Sequence, residues 1–149
     1  MTTSRTETGL PTSSKVLCAA YGAIALAALL ATWSQNVAYL HKPSGFVDFW
    51  VATKVNPASR SITVDLLLVF VAATIWMVIE ARKHGVRFVW LYVVGGGLIA
   101  ISVTFPLFLI ARELRISRTE PTRLGPVDTT ALVLFAAASL LFVTWIDVG

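Results

Sequence analysis

The sequence predicts an all-α fold: a polytopic membrane bundle of four transmembrane helices, with a short interfacial helix between the first two. Three observations predict it. Residues 16–40, 88–111 and 129–146 contain no formally charged side chain, and residues 61–79 contain a single one, Asp65. A bilayer core about 30 Å thick is crossed by roughly 20 apolar residues in a helix. The composition agrees, at 56% hydrophobic and 13% charged residues, where soluble proteins carry about 25% charged. Finally, Trp33, Tyr39, Trp90, Tyr92 and Trp145 fall toward the ends of the apolar stretches, at headgroup level.

Residues 1–14 are rich in Ser and Thr and are expected to be a disordered tail. Residues 15–149 then form one transmembrane domain. Four spans and their loops use this length, which leaves no room for a soluble catalytic domain. Arg5 and Lys15 could supply the basic region of a signal peptide. The uncharged stretch after them outruns a signal-peptide core, so it is read as a span. The net charge of +4 sits at loop ends beside helices, where anionic lipid headgroups are the expected partner. No basic stripe interleaved with aromatics lies outside the membrane segments, which argues against nucleic-acid binding. Cys18 is the one cysteine, so no intrachain disulfide forms, and it reads as a small apolar side chain.

The first helix is expected over about 15–39. Ala19, Ala23, Ala27 and Ala31 recur every four residues and make a small-residue face that another backbone can approach closely. Ser34, Gln35 and Asn36 either solvate its far end or face a shallow cavity. His41-Lys42-Pro43-Ser44-Gly45 breaks the helix. Over about 46–55, helical spacing puts Phe46, Phe49, Trp50 and Thr53 on one face and Asp48 and Lys54 away from it, the pattern of a helix lying in the interface. Asn56-Pro57 ends it.

The second span is expected over about 59–83, with Ser59 or Ser61 as its N-cap. At 100° per residue Asp65 and Glu80 share one side with Trp76, about 22 Å apart along the axis. That side is expected to face the bundle. Gly85, in the basic turn Arg82-Lys83-His84-Gly85-Val86-Arg87, can end the helix in a left-handed conformation. The third span is expected over about 88–111. Gly96, Ala100 and Thr104 form a second small-residue face, and Pro106 is expected to kink the helix, because it leaves the Ser102 carbonyl without its usual partner. A charged loop with Pro121, Gly125 and Pro126 precedes the last span, expected over about 129–146. The short, basic 81–87 loop favours an arrangement with both termini in the cytoplasm.

Asp65 is the sharpest candidate for chemistry, because an acid inside a span is costly. Three readings stand beside one another. It caps a helix N-terminus, it pairs with Arg112, or it forms a proton or cation site with Arg112 near the Pro106 kink. Glu80, at the other end of the helix, is placed near Arg87, Lys15 and Trp145. No zinc or haem spacing exists: His41 and His84 lie in loops expected on opposite sides, and Cys18 is alone. Gly95-Gly96-Gly97 lacks the strand and the Lys-Ser/Thr of a phosphate loop, and no nucleophile elbow is present. No metal or cofactor is expected.

The run Asn56-Pro57-Ala58-Ser59, then Val64-Asp65-Leu66, then Trp76 to Lys83, together with Trp90-Leu91-Tyr92, Pro106-Leu107-Phe108-Leu109 and Arg112-Glu113, resembles a family of small bacterial membrane proteins catalogued as domain of unknown function 2834. The resemblance covers roughly residues 21–115. It implies a bacterial inner-membrane location and no known activity, and it marks Asn56, Asp65, Trp76, Glu80, Arg82, Pro106 and Arg112 as matching positions. The last span lies outside it. Three functions follow as expectations. The first is a non-enzymatic interaction or accessory subunit, binding a membrane-protein partner or a second copy through its small-residue faces. The second is a small transporter or carrier using Asp65 with Arg112. The third is an enzyme acting on lipids or quinones.

Overall fold

The computed structural model describes residues 9–41, 43–117 and 125–148. Among these it is all helical: α1 Thr12–Leu40, α2 Phe46–Ala52, α3 Pro57–His84, α4 Val89–Gly95 running into a π-helical turn Gly96–Ala100, α5 Ile101–Ile116 and α6 Pro126–Val148. Four segments among the described residues are long and apolar enough to cross a membrane: Thr12–Val37, Pro57–His84, Val89–Ile116 and Pro126–Ile146. The chain is therefore a multi-pass membrane protein by its apolar segments. Most of the expected tail lies outside the described residues. Its last part, Thr12 to Ser14, is not disordered but opens α1, where Ser14 is fully buried.

Short-range chemistry accounts for the element ends. Asn56, not Ser59 or Ser61, caps α3: its Oδ1 accepts from Ser59 N at 2.8 Å, and Ser59 Oγ accepts from Asn56 N at 3.3 Å. With Pro57 in the first helical position this is a reciprocal capping arrangement. Gly85 ends α3 with φ 67°, as a glycine without a Cβ can. The interfacial helix α2 is anchored by Phe49, edge-on to Tyr39 of α1 at 5.6 Å. Residue 46, placed on the same face by spacing, has no described side chain.

The third apolar segment does not run as a single rod. Ala100 is extended, with φ −178° and ψ 140°, and the chain reverses there. Tyr92 and Phe108 stack edge-on at 5.7 Å. A Cβ placed on Gly95 would lie 3.1 Å from Thr104 Cγ2, and one on Gly96 would lie 3.1 Å from Thr104 Oγ1 and 3.0 Å from the Phe70 ring. These contacts pair α4 antiparallel with α5, so the segment is a helical hairpin whose two arms start and finish at the same end of the bundle. Gly96, Ala100 and Thr104 are thus not one face of a continuous helix. Gly96 and Thr104 face each other across the hairpin, and the glycines permit that approach. The break lies at Ala100 rather than at Pro106, which is buried inside α5.

α5 is the central element. It runs beside α3 in the same direction, with Trp76 near Phe105 at 5.8 Å and near Phe108 at 6.0 Å. It runs antiparallel to α1, its most extensive neighbour. Met77, Ala81, Val86, Val89 and Phe108 form the core, at the end of the bundle where α3 finishes and α4 starts. The alanine face of α1 is not used there: Ala19, Ala23 and Ala27 are exposed and Ala31 is half-buried, while Ala25 is buried. Every α6 residue whose side chain is described is exposed.

Candidate functional site

The fold-back decides which polar groups meet. Because α5 returns to the end where α3 finishes, Arg112 lies against Glu80 rather than against Asp65. Arg112 Nε donates to Glu80 Oε2 at 2.5 Å. His84, one turn after Glu80, brings Nε2 to 3.3 Å from the same oxygen. The Arg112 guanidinium also lies over the Trp76 ring, 5.5 Å from its centroid, where the ring quadrupole attracts the cation. Glu80 is 8% exposed. Its charge is therefore held in a largely buried place by one guanidinium, as buried carboxylates require.

Asp65 is exposed and takes no part in this cluster. Of the readings of Asp65, those that use Arg112 are not met, because the two residues lie toward opposite ends of α3 once the hairpin is folded. The shared side of α3 is real as helical geometry, but only its later half is covered: Met77, Glu80 and Ala81 are its buried residues. Glu80 likewise meets Arg112 and His84, not the expected Arg87, Lys15 and Trp145. Asn56 is the α3 cap described above. Of the candidate polar residues, the structure brings together Glu80, Arg112 and Trp76, and leaves Asp65 and Asn56 apart from them.

A second polar group was not legible as a site. Glu113 is 3% exposed, Ser14 0% and Ser117 1%. Glu113 Oε1, Ser14 Oγ and Ser117 Oγ have no hydrogen-bond partner among the described residues. The sequence places Glu113 just past an expected helix end at 111, among loop arginines. The one usable signal is the spacing of Glu113 and Ser117, four apart, which puts them on one face if α5 continues.

At the other end of the bundle, Tyr39, Phe49, Thr53, Ser59 and Ile62 line a shallow, mostly apolar groove of about 300 Å³. No group of three His, Cys, Asp or Glu residues that could hold a metal ion occurs among the described residues.

The profile of the family described as Protein of unknown function DUF2834 matches residues 20–114, more than half of the chain. The match includes α3, the hairpin up to residue 114 and the Glu80–Arg112 pair, and stops before α6. No curated protein and no solved structure matches the chain.

Proposed function

We propose that this chain, which belongs to the family of proteins of unknown function DUF2834, is a non-enzymatic accessory subunit of a bacterial cell membrane that assembles with a second membrane protein or with a second copy of itself. The observation that carries this reading is the exposure of α6. It is long and apolar enough to span the bilayer, and its most apolar window is 0% buried by the rest of the chain. Lipid tails are as apolar as its side chains, so burial of apolar area alone does not drive association there. Close backbone packing does, and it uses small residues. Ala136-Ala137-Ala138-Ser139 on α6 and the exposed Ala19, Ala23 and Ala27 on α1 are surfaces of that kind.

Native mass spectrometry of the chain, purified from its own membranes in mild detergent, tests the reading. A heteromeric mass or a defined homo-oligomer is expected, and it should be lost on Ala23→Leu/Ala27→Leu or on removal of residues 126–149. A monomer with no co-purifying protein would sink it.

A second reading, a carrier of a small ligand, is favoured by the extended backbone at Ala100 inside an apolar segment. Broken helices of this kind are found where they line binding sites or are covered by protein. It would use Glu80 and Arg112 in place of Asp65. Unchanged proton and cation flux in liposomes on Glu80→Gln would remove it.

A further inference from the structure

We infer that the seam between the first turn of α1 and the last turn of α5 is a binding site for a small monovalent cation, held by Glu113, Ser14 and Ser117. This goes beyond the assembly reading and does not depend on it.

Register brings the three side chains together. Gly22 of α1 lies under Ile110 of α5, where an added Cβ would be 4.0 Å from Ile110 Cδ1. The two helices are antiparallel. One turn toward the start of α1 and one turn toward the end of α5 therefore pairs Cys18 with Glu113, and these two groups are within electrostatic range of each other. One further turn pairs Ser14 with Ser117. Glu113 and Ser117 are also linked locally, since Ser117 N donates to Glu113 O at 2.9 Å.

Each of these side chains is almost completely removed from solvent, and each has an oxygen that nothing among the described residues satisfies. Buried polar oxygens are normally hydrogen-bonded, and orphans of this kind call for an occupant. Among the described residues, no cation fills the role. Arg112 is committed to Glu80, and His84 Nε2 lies 3.3 Å from the same carboxylate oxygen. Lys15 and Arg115 are exposed, and no ion pair joins Glu113 to any described residue.

The donor set states the class of ligand. A carboxylate and two hydroxyls are hard oxygen ligands, unsuited to soft or borderline metals. One carboxylate balances one positive charge, whereas calcium sites gather several carboxylates and six to eight oxygens. The C-terminal end of α5 adds the negative end of a helix dipole. Sodium or lithium matches this set better than a divalent ion. A water molecule, or a proton on Glu113 donated to a serine, is the competing occupant.

The test is thermal unfolding of the full chain in mild detergent, in sodium, lithium, potassium and choline chloride at equal ionic strength. Sodium or lithium is expected to raise the midpoint by several degrees over choline in the wild type, with a saturable dependence on concentration. Glu113→Gln should abolish that increment. An equal midpoint in all four salts would overturn the site in favour of water or a proton, and so would an increment that survives Glu113→Gln. Should Glu113→Gln fail to fold, Ser14→Ala/Ser117→Ala keeps the carboxylate and should raise the half-saturating sodium concentration about tenfold. An unchanged half-saturation there would equally overturn it.

Discussion

The segments Val89–Ile116 and Pro126–Ile146 are both long and apolar enough to cross a membrane, yet the protein treats them in opposite ways. Of the most apolar window in the first, 28% is buried inside the structure; in the second, 0%. The first folds on itself and becomes the centre of the bundle. Among the described residues, the second contributes nothing to the core. Apolar content does not separate them, because in a bilayer it says only that a segment leaves water. The difference lies in small and polar residues. Val89–Ile116 carries Gly95 and Gly96 opposite Thr104, and toward its end it holds Arg112, which is half-buried, and Glu113, which is buried. The later segment carries no charge between Thr129 and Ile146, and its small residues are alanines, Ser139 and the threonines Thr129, Thr130 and Thr144, with no glycine.

The sharpest way to break this comparison is topological. If Val89–Ile116 is a hairpin, its two ends share one side of the membrane. Single cysteines at Arg87 and Arg115, in a Cys18→Ala background, should be labelled by a membrane-impermeant thiol reagent from the same side. A single crossing would give labelling from opposite sides, an all-or-none difference. The hairpin also makes the number of crossings odd if α6 spans. A reporter on the C-terminus should then lie opposite the N-terminus, contrary to the arrangement with both termini in the cytoplasm.

The next largest effect concerns the ion pair. Arg112→Leu leaves Glu80 buried with only His84 beside it and removes the contact with Trp76. Breaking a buried pair in this way costs roughly 3 kcal/mol, read as a lower unfolding midpoint in detergent. The double variant Glu80→Leu/Arg112→Leu should recover most of that loss, since no charge is left unpaired. Additive losses would mean that the two residues do not act as a pair. Asp65→Asn, by contrast, should leave the midpoint unchanged within about 0.5 kcal/mol.

A smaller effect tests the close approach inside the hairpin. Gly96→Ala puts a Cβ 3.0 Å from the Phe70 ring and 3.1 Å from Thr104, and should destabilise by about 1–3 kcal/mol. At Gly97 the nearest atom is 3.9 Å away. There Gly97→Ala should be neutral, or stabilising by up to about 1 kcal/mol through helix propensity. Equal effects at the two positions would contradict the packing of the arms. The smallest effect is expected on α6. Leu134 and Phe135 are 66% and 73% exposed, and alanine at either should change the stability of the isolated chain by less than about 0.5 kcal/mol. A loss of several kcal/mol would mean that α6 packs on the bundle after all.

Some of this protein is written locally. Hydropathy alone marks four apolar segments, because leaving water depends on side-chain composition over roughly 20 residues and on nothing farther away. Gly85 and the Asn56-Pro57 break are equally local, since a left-handed cap and a proline restriction act within a few residues. The site was legible only in its residue types. Glu80, Arg112 and Trp76 stand out as polar or aromatic groups in or beside apolar helices, but their meeting depends on a reversal at Ala100. Nothing in periodicity marks that reversal: Ala100 is an ordinary residue in extended conformation, and Pro106 is the more conspicuous helix breaker. Only the tertiary structure decides that Arg112 finds Glu80 rather than Asp65, that Glu113 and Ser117 are buried, and that Ala19, Ala23 and Ala27 of α1 stay uncovered. The physical reason is that composition and spacing fix which groups share a face of one helix. Which helix covers that face is set by where the chain turns back.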